Sequence, residues 1–467
     1  MIHRWLRVAG YVATVVVLLA SGPVTAAETG RRTITGTIGS ADFRIEMPRR
    51  WNGTLVLFSH GDWPTTVGAP PGGIWLANRP PDRSRTATWL LDNGYALAAS
   101  NFTGVTGYVT EPALHDQIAL LDWFDANIGH PRRTLSTGQS HGGLIAVELA
   151  ERNPGRFAGV ATMCAELDAG ATLNTALDML YAVKTLLVPA KDQDIDLVLA
   201  RDPKHSNDLL AKAINDAVAT PQGRARIALA ASFGNIPGAF SGHEPPPSTL
   251  DGQIRAQAEW LSSYLLFAGP YERAADIERR AGGNPSWNLG IDYRAQLARS
   301  ALTRQVRTAY ASAGLDLDTD LARLNAAPRI AASPSAVGYL YRFWVPSGRT
   351  PVPVITVHTP KDGGAVPDQE RWYAQQVDRR DQLRQLFTDR GMHCAISDAE
   401  ELVAIRALLQ RIDTGRWPDL RPSQLNREAA AYGPDYQNVL DFPTFQDKAM
   451  PPAFLSFTPP RSLRPSR

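Results

Sequence analysis

The sequence predicts an α/β fold: a mostly parallel sheet with helices on both faces and a large helical block inserted between two late strands. Two observations carry this. From residue 33 to 166, short apolar runs alternate with longer amphipathic segments, the pattern of parallel strands joined by crossover helices. From about 168 to 350 that alternation gives way to helical periodicity broken by Pro and Gly, and at 351 the strand–helix alternation resumes.

The elements follow in order. TITGTIG (33–39) and DFRIEMP (42–48) alternate apolar and polar residues, as half-buried strands do. TLVLFSHG (54–61) is a continuous apolar run ending in glycine, which suits a strand covered on both faces. RTATWLLDNG (85–94) reads as a helix stopped by Gly94, and YALAASN (95–101) as the next strand. EPALHDQIALLDWFDANIG (111–129) has Pro112 in its first turn, Leu114, Ile118, Leu121 and Phe124 at helical spacing, and Gly129 at its end. RTLST (133–137) is a strand, HGGLIAVELAERNP (141–154) a helix and GVATMC (159–164) a strand. The inserted block holds helical segments at 172–187, 208–219, 250–269 and 294–314. PVPVITVHTPKDGGAVP (351–367) returns a strand and its loop, and DQERWYAQQV (368–377) a helix. QLRQLFTDRGMHC (382–394) supplies a short strand and a loop, and SDAEELVAIRALLQRID (397–413) a last helix. The Pro/Arg-rich end is expected to wrap the surface.

Composition narrows the function classes. At 44% hydrophobic and 20% charged residues the chain is globular in character. A net charge of +2 with interspersed signs excludes a nucleic-acid-binding stripe. The first residues differ from the rest: Arg4 and Arg7 precede the apolar VAGYVATVVVLLA (8–20), and small residues follow in VTAAE (24–28). This describes a secretory signal peptide, residues 1–27, cleaved near Ala26–Ala27, with an uncleaved anchor as the alternative. The mature chain is then expected to be exported, with no stable membrane insertion. Two cysteines and nine histidines show no zinc-ligand spacing, so neither a metal nor a cofactor is expected.

The stretch STGQSHGGL (136–144) carries the chemistry. Ser140 stands between Gly138 and Gly142, with a strand before and a helix after. A serine exposed on so tight a turn needs small residues two before and two after it, and becomes a nucleophile once a base takes its proton. These residues and their setting resemble the α/β-hydrolase superfamily over roughly 33–166 and 351–412. The resemblance implies a split hydrolase core, 28–168 and 351–467, with 169–350 as a lid. It also implies the chain order nucleophile, acid, histidine.

Asp362 lies in a glycine-rich loop after the strand Val354–Val357 and matches the acid's place; Glu166 and Asp168 are the runners-up. His393 lies before the final helix, and no histidine follows it. The resemblance assigns the oxyanion hole to backbone N–H groups of His141 and of the loop after His60, Gly61 or Asp62. Trp63 and Trp75 in that loop are candidate substrate contacts, with Trp260, Tyr264, Phe267, Tyr271 and Trp287 of the lid as an aromatic rim. The implied activity is a serine hydrolase acting on an apolar or aromatic carboxylic ester, small or polymeric. A peptidase of the same fold is the alternative, and a non-catalytic binding protein on this scaffold a remote one. The pair His393–Cys394 is similar to half of a motif in secreted tannases and feruloyl esterases, but Gln139 stands where those carry a cysteine beside the serine. In an exported chain Cys164 and Cys394 can pair, because the implied fold brings both to the same sheet edge; the alternative is two buried thiols.

Overall fold

The computed structural model describes residues 30–466; the expected signal peptide lies outside them. Strands β1 (Arg32–Ile38), β2 (Ala41–Met47) and β3 (Thr54–Ser59) open the chain. Helix α1 (Arg85–Asp92), β4 (Ala96–Ser100), α2 (Thr110–Asn127), β5 (Arg133–Gln139), α3 (His141–Arg152) and β6 (Gly159–Met163) follow. They join a nine-stranded sheet of order β1-β2-β4-β3-β5-β6-β7-β8-β11, completed by β7 (Val354–His358), β8 (Leu383–Thr388) and β11 (Phe454–Leu455). The run from β4 to β8 is parallel; β1, β2 and β11 pair antiparallel at the edges.

The strand sequences explain their places. Every residue of β3 is buried, and its side chains alternate between two apolar layers. Leu55 and Leu57 join the layer built with Leu120 and Phe124 of α2 and Leu144 of α3. Val56 and Phe58 join the opposite layer, with Leu90 of α1 and Leu402, Ile405 and Leu408 of α15 (Asp398–Thr414). Strand β1, at the edge, leaves most of its side chains to solvent.

The helical insertion runs between β6 and β7. It comprises α4 (Ala169–Leu187), α5 (Pro203–Ala217), α6 (Pro221–Ser232), α7 (Leu250–Ala268) and α8 (Pro270–Glu272). A π turn leads to α9 (Glu278–Ala281), and α10 (Tyr293–Arg299), α11 (Thr303–Ala313), α12 (Leu317–Ala326) and α13 (Pro334–Phe343) complete it. Its apolar residues are continuous with those of α2 and α3 in one layer. The segment 294–314 reads as one helix in sequence but is broken at Ser300, which adopts an extended conformation and donates its hydroxyl to Ser232 O at 2.8 Å. Beyond β7 come α14 (Asp368–Gln376) and, after α15, α16 (Pro422–Ala430) and the hairpin β9 (Asn438–Asp441)–β10 (Gln446–Ala449). Among the described residues no helix is long and apolar enough to cross a membrane.

The C-terminal segment does more than wrap the surface, contrary to the sequence reading. Helix α16 packs on α15, β11 extends the sheet, and the last residues reach the insertion. The Arg464 guanidinium pairs with the fully buried carboxylate of Asp178 on α4 and donates to Trp287 O at 2.7 Å. The backbone N–H of Ser466 donates to Asp168 at 3.0 Å. Polar partners drawn from the insertion outweighed what a Pro/Arg composition suggests. Arg464→Ala leaves Asp178 as a buried charge whose remaining hydroxyl donor is Tyr293. The expected loss of unfolding free energy is about 3 kcal/mol, read by urea titration.

Candidate active site

The sheet places two loops side by side. Strands β3 and β4 extend it in one direction, and β5 then returns to the other side of β3. The reversal opens a crevice at the carboxyl ends of β3 and β5, where ligands bind in open α/β sheets. Ser59 of β3 is level with Gly138 of β5, so His60-Gly61 and Ser140 emerge together.

The turn at Ser140 is strained. Its φ is +54° and ψ −128°, outside the regions an ordinary side chain prefers, at a cost on the order of 1–3 kcal/mol. Packing holds it there. A Cβ at Gly142 would lie 2.1 Å from Ser59 O, and one at Gly138 2.1 Å from Gly142 O. Ser140 N–H donates to Met163 O at 2.9 Å, and Ser140 O accepts from Gly143 and Glu166 N–H. Helix α3 begins at His141, so its positive end faces the serine.

The structure brings Ser140, His393 and Asp362 into one chain of hydrogen bonds. The Ser140 hydroxyl lies 2.7 Å from His393 Nε2, and His393 Nδ1 lies 2.7 Å from Asp362 Oδ2. Burial works against the Asp362 charge, but His393 and His358 beside it hold the carboxyl below its usual range. An ionised Asp362 accepts from Nδ1–H, which leaves Nε2 to accept the serine proton. The Gly364 N–H donates to Asp362 Oδ1 at 2.7 Å. A Cβ on Gly364 would stand 3.0 Å from the His393 ring, so the glycine is what lets the loop pack on the imidazole.

Neither runner-up acid reaches His393's ring in this way. Glu166 accepts from Tyr108 OH at 3.1 Å and lies 2.9 Å from His141 Nδ1, whose Nε2 faces Thr110 Oγ1 at 2.7 Å. Asp168 caps α4 through Ala171 N–H and accepts from Ser466. Burial raises its pKa to about 6 against those bonds. His141 therefore has a side-chain role that its place after the serine did not reveal.

Gly61 lies against Ser140: a Cβ there would be 3.0 Å from Ser140 Cβ. His60 Nδ1 sits 2.7 Å from Gly61 O, and burial lowers its pKa to about 4, so the ring is neutral and donates to that carbonyl. This fixes the Gly61–Asp62 peptide plane. The Asp62 carboxyl is pushed well up by burial and by Glu272, Glu166 and Asp276.

Above these residues lies a cavity of about 400 Å³, walled by Trp63, Tyr108, Phe240, Trp260, Tyr264 and Phe267. Its polar lining includes Gln139, whose buried Oε1 has no hydrogen-bond partner. Trp75 corrects the sequence reading. It is 1% exposed, donates to Pro71 O and braces Trp63 edge-on at 5.7 Å instead of meeting the cavity. Tyr271 and Trp287 also lie outside the lining, whereas Phe442 and Pro443 of the C-terminal segment belong to it. The sequence signal for that pair was an aromatic cluster around a proline, LDFPTF, in a stretch whose composition spoke only for surface. Trp260 is held within the insertion by a bond to Ala239 O, and Tyr264 donates to Gly364 O, so the insertion rests directly on the Asp362 loop.

A mostly parallel sheet in this strand order, with a strained serine at its crevice and Asp362 and His393 after β7 and β8, decides the fold. The chain has the α/β-hydrolase fold. No family model matches it. It is 28% identical over 423 residues to o-phthalyl amidase of Xanthobacter agilis, covering 84% of this chain and 89% of that protein. Among solved structures, the chain is similar to feruloyl esterase B from Aspergillus oryzae (13% identity, 83% of this chain, 82% of that one, TM-score 0.37). It is also similar to a probable hydrolytic enzyme from Pseudomonas aeruginosa PAO1 (14%, 83% and 94%, TM-score 0.32). The sheet order and the elbow identify the fold independently of these likenesses.

Cys164 and Cys394 form a disulfide, with Cα atoms 5.1 Å apart. It ties the end of β6 to the residue after His393. Cys164, Met392 and Cys394 all have positive φ, at +47°, +66° and +57°, so this corner is held in conformations that free chain avoids. With Cys164 and Cys394 bonded to each other, their sulfurs are not free to serve with His393 as metal ligands. A loop closed over 230 residues is worth roughly 5 kcal/mol in chain entropy at most. Protein denatured without reductant should show no titratable thiol, and mild reduction should lower activity before the far-ultraviolet dichroism changes. Two free thiols in oxidised material would contradict the bond.

Proposed function

We propose that this α/β-hydrolase cleaves carboxylic esters through an acyl-enzyme, with Ser140 as nucleophile, His393 as general base and acid, and Asp362 as its orienting carboxylate. The observation that carries the reading is the pair of 2.7 Å hydrogen bonds ending on a strained serine at the floor of an apolar cavity. Ser140 Oγ attacks the ester carbonyl as His393 Nε2 takes its proton. The imidazolium, steadied by Asp362, returns the proton to the leaving alcohol, and water then repeats the sequence on the acyl-enzyme. The His141 N–H at the start of α3 and the Asp62 N–H, on the peptide plane held by His60, are the donors proposed for the oxyanion. Each such donor is typically worth about 3 kcal/mol.

The aromatic walls fit an apolar or aromatic acyl or alcohol group, and a volume of about 400 Å³ is that of a small-molecule site. The substrate is a small ester or one chain end of a polymeric one. Export of the protein accords with the disulfide, since such bonds persist in oxidising compartments. A second reading, hydrolysis of an aromatic carboxamide, is favoured by the likeness to o-phthalyl amidase along most of the chain.

Parallel assay of p-nitrophenyl esters, the p-nitroanilides of the same acids and aminoacyl anilides tests these readings. Faster turnover of the esters supports the first; turnover of the anilides alone replaces it. Ser140→Ala should lower kcat by up to about a millionfold. Asp362→Asn should lower it by about 10⁴. Glu166→Gln and Asp168→Asn should cost far less. Retained activity in Ser140→Ala would overturn the assignment.

A further inference from the structure

His358, the last residue of β7, lies directly behind the acid of the proposed triad and takes no part in the mechanism above. Its ring is fully buried. Nε2 lies 2.7 Å from Ala365 O and 3.3 Å from Asp362 Oδ2. Nδ1 lies 3.1 Å from Glu370 Oε1, on the first turn of α14. A backbone carbonyl can only accept, so Nε2 must carry a proton. Glu370 is arranged as an acceptor too: its other oxygen receives the Thr356 hydroxyl at 2.7 Å and the Gln385 amide. With Glu370 ionised, Oε1 accepts and Nδ1 donates as well. A ring that donates from both nitrogens is an imidazolium.

We infer that His358 is a permanently charged positioning residue, a buried imidazolium shared between Asp362 and Glu370 that holds the triad carboxylate in place and offsets part of its field on His393. The inference rests on the triad reading. Asp362 Oδ2 then faces two imidazoles, the working one at 2.7 Å and the fixed one at 3.3 Å. Without the second cation, a buried Asp362 and a buried Glu370 would stand near one another uncompensated, and Asp362 would bind the proton on His393 more tightly.

The surroundings support a charge there. Burial pushes the His358 proton off, but the bonds to Asp362 and Glu370 and their charges outweigh it and raise its pKa to about 10. Of the other charged groups nearby, Asp368 on α14 is itself raised to about 7 by burial, and Asp168 lies beyond it. Strand β6 carries no titratable side chain. On β8, Arg384 lies over the Trp417 ring and Gln385 is neutral. The acids of α15 are occupied elsewhere: Asp398 with Arg79, Glu400 with Arg390, Glu401 with Thr86 and Asp413 with Arg133. Lys361 of the acid's loop pairs with Asp389 at the surface.

Two measurements test this. The first is ¹⁵N NMR of histidine-labelled protein at pH 8.5, with the His358 ring assigned by its proximity to Ala365. The expected result is one ring with both nitrogens at imidazolium shifts; a single-proton tautomer there overturns the proposal, whether or not any variant folds. The second is the pH dependence of kcat/KM in His358→Gln. Its acid limb should move up by about one pH unit, a tenfold loss below the limb. A variant that folds, loses thermal stability and leaves the limb in place would make His358 structural only and contradict the proposal. Glu370→Gln, which keeps the acceptor and removes its charge, should leave the ring doubly protonated through Asp362. The ring's protonation is read on resting protein, so its failure is distinct from failure of the Ser140 assignment, which appears as activity surviving Ser140→Ala.

Discussion

The close approach of α3 to the carboxyl ends of β3 and β5 is the constraint on which the site depends. Backbone meets backbone there: a side chain on Gly142 would occupy the space of Ser59 O and His60 O, and one on Gly138 that of Gly142 O. Because no side chain intervenes, the serine is lifted out of the strand at φ +54° and presented at the crevice, with the amino end of a helix behind it. The local strain is held by strands β3 and β6, buried throughout, and by β5, buried from Thr134 onward. Stability of the sheet and the strained presentation of the serine are thus consequences of the same packing.

The histidine is held differently, by long-range ties to a loop whose other residues, Met392, Cys394, Ala395 and Ile396, are buried around it. The disulfide anchors Cys394 to the end of β6, Thr359 donates its hydroxyl to Met392 O at 2.9 Å, and Gly364 packs on the ring. The acid's loop in turn carries the insertion, through Tyr264 and through the contact of Gly363 with the Trp260 indole. Helix α7 therefore packs directly on the loop that carries Asp362. The C-terminal residues clamp α4 from the other side, through Arg464 and Ser466.

Much of this was legible in the sequence where the requirement is local. Glycines two before and two after Ser140 answer a steric demand within one turn, and the alternation of strands and helices follows from burial periodicity. Asp362, Glu166 and Asp168 could not be separated that way, since all three follow strand ends; only tertiary partners tell them apart. Glu166 is engaged by Tyr108 and His141, and Asp168 by α4 and Ser466. Trp75 was misread because one loop presents one tryptophan to the cavity and another to the core, and no period distinguishes them. The Arg464–Asp178 pair spans 286 residues, beyond the reach of any local pattern. His358 was not singled out in the sequence for the same reason: its meaning comes from Glu370 and Ala365, not from its neighbours in sequence.

The central claim, that acyl transfer passes through Ser140, is tested most directly by trapping the intermediate. The oxidised protein is reacted with a fluorophosphonate, and separately with a slowly turned-over aromatic p-nitrophenyl ester, then quenched in acid and analysed by intact mass and peptide mapping. The account predicts one adduct per chain, on Ser140 alone, and a burst of p-nitrophenol matching the enzyme concentration. Turnover with no adduct, or an adduct on another residue, would contradict it.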